Sequence, residues 1–106
     1  MSDYILVNVT CPDDAVAHTI ARALVEQRLS SCVHVYPDVL SIYRWRGEIH
    51  EDRETMINIK TRAGLWEKVQ KVILEHHPYE VSVLTRSEIT GFNDKAAEWF
   101  EEVVEK

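Results

Sequence analysis

The sequence predicts an α+β fold with strands and helices in the order βαββαβ and one further helix at the C-terminus. Three observations carry this. Short β-branched runs stand near both ends of the chain, at residues 4–10 and 81–89. Two stretches with helical periodicity lie between strand-like segments. A long strand pair, residues 32–61, doubles back at Arg46-Gly47-Glu48.

Each element has its own local cause. Residues 4–10 (YILVNVT) end at Cys11-Pro12 and read as a buried strand. Asp13 or Asp14 can then cap a helix and favour its dipole. Val16, Ile20, Ala23, Leu24 and Gln27 share one face of that helix, which is expected to fade near Ser30-Ser31. Residues 32–45 are strand-like but broken at Pro37-Asp38. Proline cannot donate to a ladder, so this is an edge or a bulge. Residues 49–61 return, with Thr55, Ile57 and Ile59 on one face and Met56, Asn58 and Lys60 on the other. Leu65, Val69, Val72 and Ile73 form the stripe of a second helix that ends before Pro78. Residues 81–89 make the last strand. Asn93 or Asp94 caps a final helix whose Ala96, Trp99, Phe100 and Val103 share a face. The order is that of a ferredoxin-like split βαβ sandwich, with two helices on one side of an antiparallel sheet.

With 106 residues this is expected to be a single domain. Hydrophobic residues at 45 % and charged residues at 28 % suit a soluble globular chain. The net charge of -6 argues against nucleic acid, which needs clustered Lys and Arg. No apolar run approaches the ~18 residues of a membrane span. Met1-Ser2-Asp3-Tyr4 leads into a strand with no basic stretch before it, so a cytoplasmic protein is expected, with Cys11 and Cys32 reduced.

The hairpin is long for so small a chain. Each arm of about 13 residues would reach roughly 43 Å, against a radius of gyration near 13 Å expected for this length. The arms therefore overhang their own sheet and carry Tyr43 and Trp45 with them. Either another subunit pairs with the overhang, or Pro37 breaks the strand and the tip folds back on its own domain.

Several blocks are similar to one family. Ser31-Cys32-Val33, Pro37, Ser41-Ile42-Tyr43-Arg44-Trp45-Arg46-Gly47-Glu48-Ile49, Glu54, Ile59-Lys60-Thr61 and His77-Pro78-Tyr79-Glu80-Val81 resemble the CutA-type divalent cation tolerance proteins, over nearly the whole chain. The resemblance implies a PII-like homotrimer built by intersubunit strand pairing. It also implies a role in tolerance to divalent metals, notably copper, and metal binding by the trimer. Ser82 and Val83 stand where the family block has proline and glutamate, and His34 where asparagine is common.

Candidate chemistry follows from topology. The end of the first strand, the end of the second helix and the start of the last strand lie at one end of the sheet. Cys11 is thus expected near His76, His77 and Tyr79. A thiolate beside imidazoles suits Cu(I) or zinc. The alternative is a Cys11 that packs as a small hydrophobe, with His76-His77 ending a helix. Cys32 belongs at the opposite end, about 20 Å away and beyond disulfide reach. It is a further candidate ligand, or core packing. Glu54 and Lys60 share a strand face. With Trp45, Tyr79 and Glu80 they are the residues that the resemblance gathers at a cleft between subunits. There they would hold a small metabolite, as in a PII-like signalling module, or form an interface salt bridge. Glu48, Glu51, Asp52 and Glu54 read as a solvated acidic face. Trp45, Trp66 and Trp99 are expected to pack in the core or at interfaces. No nucleophile elbow or P-loop is present. The loop Thr10-Cys11-Pro12-Asp13-Asp14 is acidic where the ferredoxin-like acylphosphatases hold a phosphate-binding arginine, so no enzyme is expected.

Overall fold

The computed structural model describes residues 2–106; Met1, part of the opening stretch read above, lies outside them. The elements are β1 (Tyr4–Cys11), α1 (Asp14–Glu26), β2 (Cys32–Trp45), β3 (Glu48–Arg62), α2 (Trp66–His76), β4 (Thr85–Ile89) and α3 (Asp94–Val103). A 3-10 turn at Ala63–Leu65 leads into α2. The sheet runs β2-β3-β1-β4, antiparallel throughout.

Strand alternation sets the core. Ile5, Val7, Val9 and Cys11 of β1 are buried, as are Thr55, Ile57, Ile59 and Thr61 of β3. The apolar ones, with Cys11, meet Ala17, Ile20 and Leu24 of α1 and Val69, Val72 and Ile73 of α2 in one cluster. The opposite sheet face carries Asn8, Met56, Asn58 and Lys60, all partly exposed.

The helix ends have clear causes. Asp13 caps α1, accepting from the Val16 N–H at 2.9 Å. The helix stops at Glu26, earlier than the expected Ser30-Ser31. Leu29 N–H donates to Leu24 O and Arg28 N–H to Val25 O, while Arg28 sits at φ 60°. These are the paired bonds and left-handed residue of a Schellman stop. Both Leu24 and Leu29 are buried, completing its hydrophobic contact. Helix α2 ends at His76, before Pro78, as expected.

Two expectations need correction. The last strand begins at Thr85, not at residue 81. Its pairing with β1 stops at Asn8↔Thr85, because the next carbonyl suited to a ladder, Thr10 O, is taken by the His77 ring at 2.7 Å. Trp99 does not share the buried stripe of α3; it is 49 % exposed. That helix is fixed instead by Phe100, which packs edge-on to Tyr4 and lies beside Phe92 and the Arg62 guanidinium. Trp99 is one helical step off that line.

The hairpin overhangs, as its length requires. β1 covers β3 only from Thr55 to Arg62. Residues 48–54 run on for about 20–25 Å, and the molecule measures 46 × 26 × 23 Å. Arg46 and Gly47 make the two-residue turn, both at positive φ (50° and 81°), which matches the twist of the strands it joins.

Candidate functional site

A β-bulge decides which side chains reach the site. Between the pairs Tyr36↔Met56 and Val39↔Glu54, β2 takes one residue more than β3. Asp38 adopts φ 58° at this point. Because side chains alternate, one extra residue exchanges the faces. Before the bulge, Cys32, His34 and Tyr36 share the face of Lys60, Asn58 and Met56. After it, Ser41, Tyr43 and Trp45 share that face with Asp52, His50 and Glu48. Tyr43 donates to Asp52 and stacks on His50 at 5.5 Å.

The overhanging hairpin and the loop at residues 77–83 enclose a cleft of about 710 Å³. Thr10, Ser41, Tyr43, Trp45, Glu54, Tyr79 and Glu80 are among its lining residues. The loop is held by His77, which is 8 % exposed. Its Nε2–H donates to Thr10 O at 2.7 Å, since a carbonyl can only accept. Its Nδ1 therefore accepts, from Ser82 Oγ–H at 3.0 Å and the Tyr79 N–H at 3.4 Å. Ser82 thus supplies a hydroxyl that proline at this position could not. Tyr79 Oη donates to Glu54. Burial and the neighbouring Glu54 carboxylate push the Tyr79 phenol well up. At the tip, Arg46 pairs with Glu80 at 2.8 Å and lies 5.2 Å from the Trp45 ring centroid.

The cleft gathers Trp45, Glu54, Tyr79 and Glu80, but not Lys60. That lysine shares the strand face of Glu54, six residues along, and its Nζ lies 3.3 Å from His34 Nδ1. Glu54 also departs from the expected solvated acidic face: it is 7 % exposed, whereas Glu48, Glu51 and Asp52 lie in water. Tyr43 and Ser41 are lining residues that alternation alone misplaces. Pro37-Asp38 was the signal that could have found them.

The cysteines and histidines form no comparable site. Cys11 is fully buried on the helix side of the sheet. Burial, with Glu54 and Asp13 nearby, pushes its thiol up to about 11, so it stays protonated near neutrality. Both ring nitrogens of His77 are engaged, and His76 Nδ1 lies 2.9 Å from Val72 O. Cys32 lies on the other face, its Sγ 3.7 Å from His34 Nε2. Both thiols are free. Among the described residues, no group of three or more His, Cys, Asp or Glu side chains is placed to hold a metal ion. Cys11, His76, His77 and Cys32 are thus not brought together as a group of three or more ligands.

Comparison with known proteins gives a consistent answer. Residues 5–103 match the CutA1 divalent ion tolerance protein family. Protein CutA of Mus musculus is 40 % identical over 97 residues, covering 92 % of this chain and 55 % of the mouse protein, so the chain spans about half the length of that relative. The divalent-cation tolerance protein CutA of Thermus thermophilus is 39 % identical over 92 % of this chain and 94 % of its own. The solved structure of the Thermus protein superposes with a TM-score of 0.91, covering 96 % of this chain and 99 % of that one. CutA1 of Oryza sativa gives 0.94 at 28 % identity, over 99 % and 96 %. Relatives are described from more than one compartment, as periplasmic in Archaeoglobus fulgidus and chloroplastic in Arabidopsis thaliana. No helix among the described residues is long and apolar enough to cross a membrane. Fold, hairpin and sequence blocks agree with these matches, and the chain belongs to the CutA1 divalent ion tolerance protein family.

Proposed function

We propose that the chain acts in divalent-cation tolerance as a non-enzymatic homotrimer, and that copper or another divalent ion is held by ligands from more than one subunit. The observation that carries this is the overhang. Past the end of β1 the hairpin exposes Leu40, Ile42 and Ile49, the last two at 64 % and 66 %. Three aliphatic side chains in water on a long bare strand pair are costly unless another chain covers them. Among the described residues no group of three or more metal-ligating side chains forms within one chain, and this reading draws the ligands from more than one subunit. The proposed setting is the cytoplasm, which keeps Cys11 and Cys32 reduced.

Native mass spectrometry of the reduced protein, with and without Cu(I) and Cu(II), tests this. A trimer that takes up copper is expected. A monomer at micromolar concentration sinks the assembly, and a trimer indifferent to both ions sinks the metal reading.

A second reading has its own observation. Glu54 is a buried carboxylate facing a cleft, and it lies in no ion pair among the described residues. A small molecule bound there would make the trimer a PII-like signalling module.

A further inference from the structure

The cleft has spent its tyrosine donors and kept a carboxylate acceptor. The hydroxyls of Tyr43 and Tyr79 both donate to carboxylates, Asp52 and Glu54. Glu54 accepts through Oε2, and its Oε1 takes no hydrogen bond among the described residues. No buried side-chain oxygen among them lacks a partner, so Oε1 is open to the cleft. Glu54 is thus 93 % withdrawn from solvent as a residue, faces a ligand-sized space, and makes no ion pair among the described residues. A buried carboxylate whose one partner is a neutral phenol gains from a cation placed against its open oxygen.

The walls favour the same kind of guest. Trp45, Tyr43 and Tyr79 line the cleft, and the face of an aromatic ring attracts a cation. One cation of the protein's own already uses them: Arg46 lies over Trp45 while pairing with Glu80. Arg44 also lines the cleft, but its guanidinium donates to Gly47 O at the turn. A volume of about 710 Å³ falls within the range of small-molecule sites. A bare metal ion suits the cleft poorly, since its carboxylates do not form a ligand group. An anion would meet Glu54 without a free tyrosine donor.

We propose that this cleft binds an organic cation of the primary alkylammonium class, its N–H groups donating to Glu54 and its charge lying against the rings of Trp45 and Tyr79. The proposal rests on the small-molecule reading of the cleft and names the ligand chemistry for it.

Titration of the untagged protein with n-butylammonium, n-butanol and butyrate, followed by amide and indole NMR shifts, tests it. The expected result is saturable binding of n-butylammonium with shifts at Trp45 and Tyr79, and binding of the alcohol and the acid at least about tenfold weaker. Glu54→Gln is expected to weaken the amine by about tenfold or more, and Trp45→Leu, which leaves the buried acid alone, by about fivefold. The second variant keeps the test usable if the first misfolds. Butyrate or butanol binding at least as tightly as the amine, or an unchanged affinity in both variants, overturns the cationic ligand and leaves the cleft reading in place. No probe shifting any cleft residue at about 10 mM, a level that detects even millimolar affinity, overturns both. In that case, loss of trimer in Glu54→Gln assigns the carboxylate to a cation of the neighbouring subunit.

Discussion

Cys11 and Glu54 show how one residue's surroundings decide what its chemistry is for. Cys11 packs beside Val9 and Thr55 on the helix side of the sheet, and its thiol is pushed up to about 11 from about 9. The unfolded chain thus loses this proton at lower pH than the folded one. Stability from the buried thiol is present below about pH 9 and falls as pH climbs towards 11. Unfolding free energies from urea melts across that window are expected to fall more for the wild type than for Cys11→Ala, by about 1–2 kcal/mol at the upper end. Equal slopes would mean that the thiol is not protected. Sequence reasoning brought Cys11 and His77 to the same end of the sheet, and His77 does bond to Thr10. It could not see that the ring nitrogens were already spent, because Ser82 and the Tyr79 N–H reach them only through the loop's conformation.

At the scale of elements, the bulge in β2 matters most. It carries one extra residue at Pro37-Asp38 and thereby turns Tyr43 and Trp45 towards Glu54. Deleting Asp38 restores strict alternation and sends both rings to the other face. The expected outcome is an intact core by circular dichroism and amide NMR, with the Trp45 indole signal moved as the ring leaves the cleft. If the indole signal stays where it is in the wild type, the hairpin has another way to set its register. Strands β1 to β3, the stripe of α2 and the bulge itself were legible because period-2 and period-3.6 patterns and a mid-strand proline are local signals. The late start of β4 was not. Val81, Val83 and Leu84 have the residue types of a strand, but a strand needs a neighbour with free backbone groups, and His77 had claimed the carbonyl. Trp99 was misplaced for a related reason, since the aromatic cluster of Tyr4, Phe92 and Phe100 sets the rotation of α3 from across the chain.

For the whole molecule, the overhang sets the expectations. Leu40, Ile42 and Ile49 lie beyond the sheet's own helices and are exposed. Changing Ile42 to Asp and Ile49 to Lys together is expected to shift sedimentation towards monomer. The variant's Tm should also lose the dependence on protein concentration that an assembled wild type shows. An unchanged sedimentation coefficient would mean that this strip is not where subunits meet. The overhang itself was legible in the sequence from arm length alone. That the hairpin's cleft side is closed by its own chain, through Arg46 and Glu80, was not, since those residues are far apart in sequence and joined only by the loop.

The central position of β1 has a consequence for synthesis. This first strand pairs with residues 55–62 on one side and with residues 85–89 on the other. The β2–β3 hairpin closes across a two-residue turn in about 1–10 μs. Strand β1 must wait for the far end of the chain before its second edge is covered. At about 5–20 residues per second on the ribosome, that wait lasts roughly 1–5 s. Throughout it, a β-branched edge and a half-built hydrophobic face stand open beside other nascent chains. Arg44, Arg46, Glu48, Glu51, Asp52 and Arg53 crowd the hairpin tip with charges of both signs. Charges of this kind flanking a sticky strand discourage edge-to-edge pairing. Side chains that pair on the finished protein therefore also guard the unfinished one.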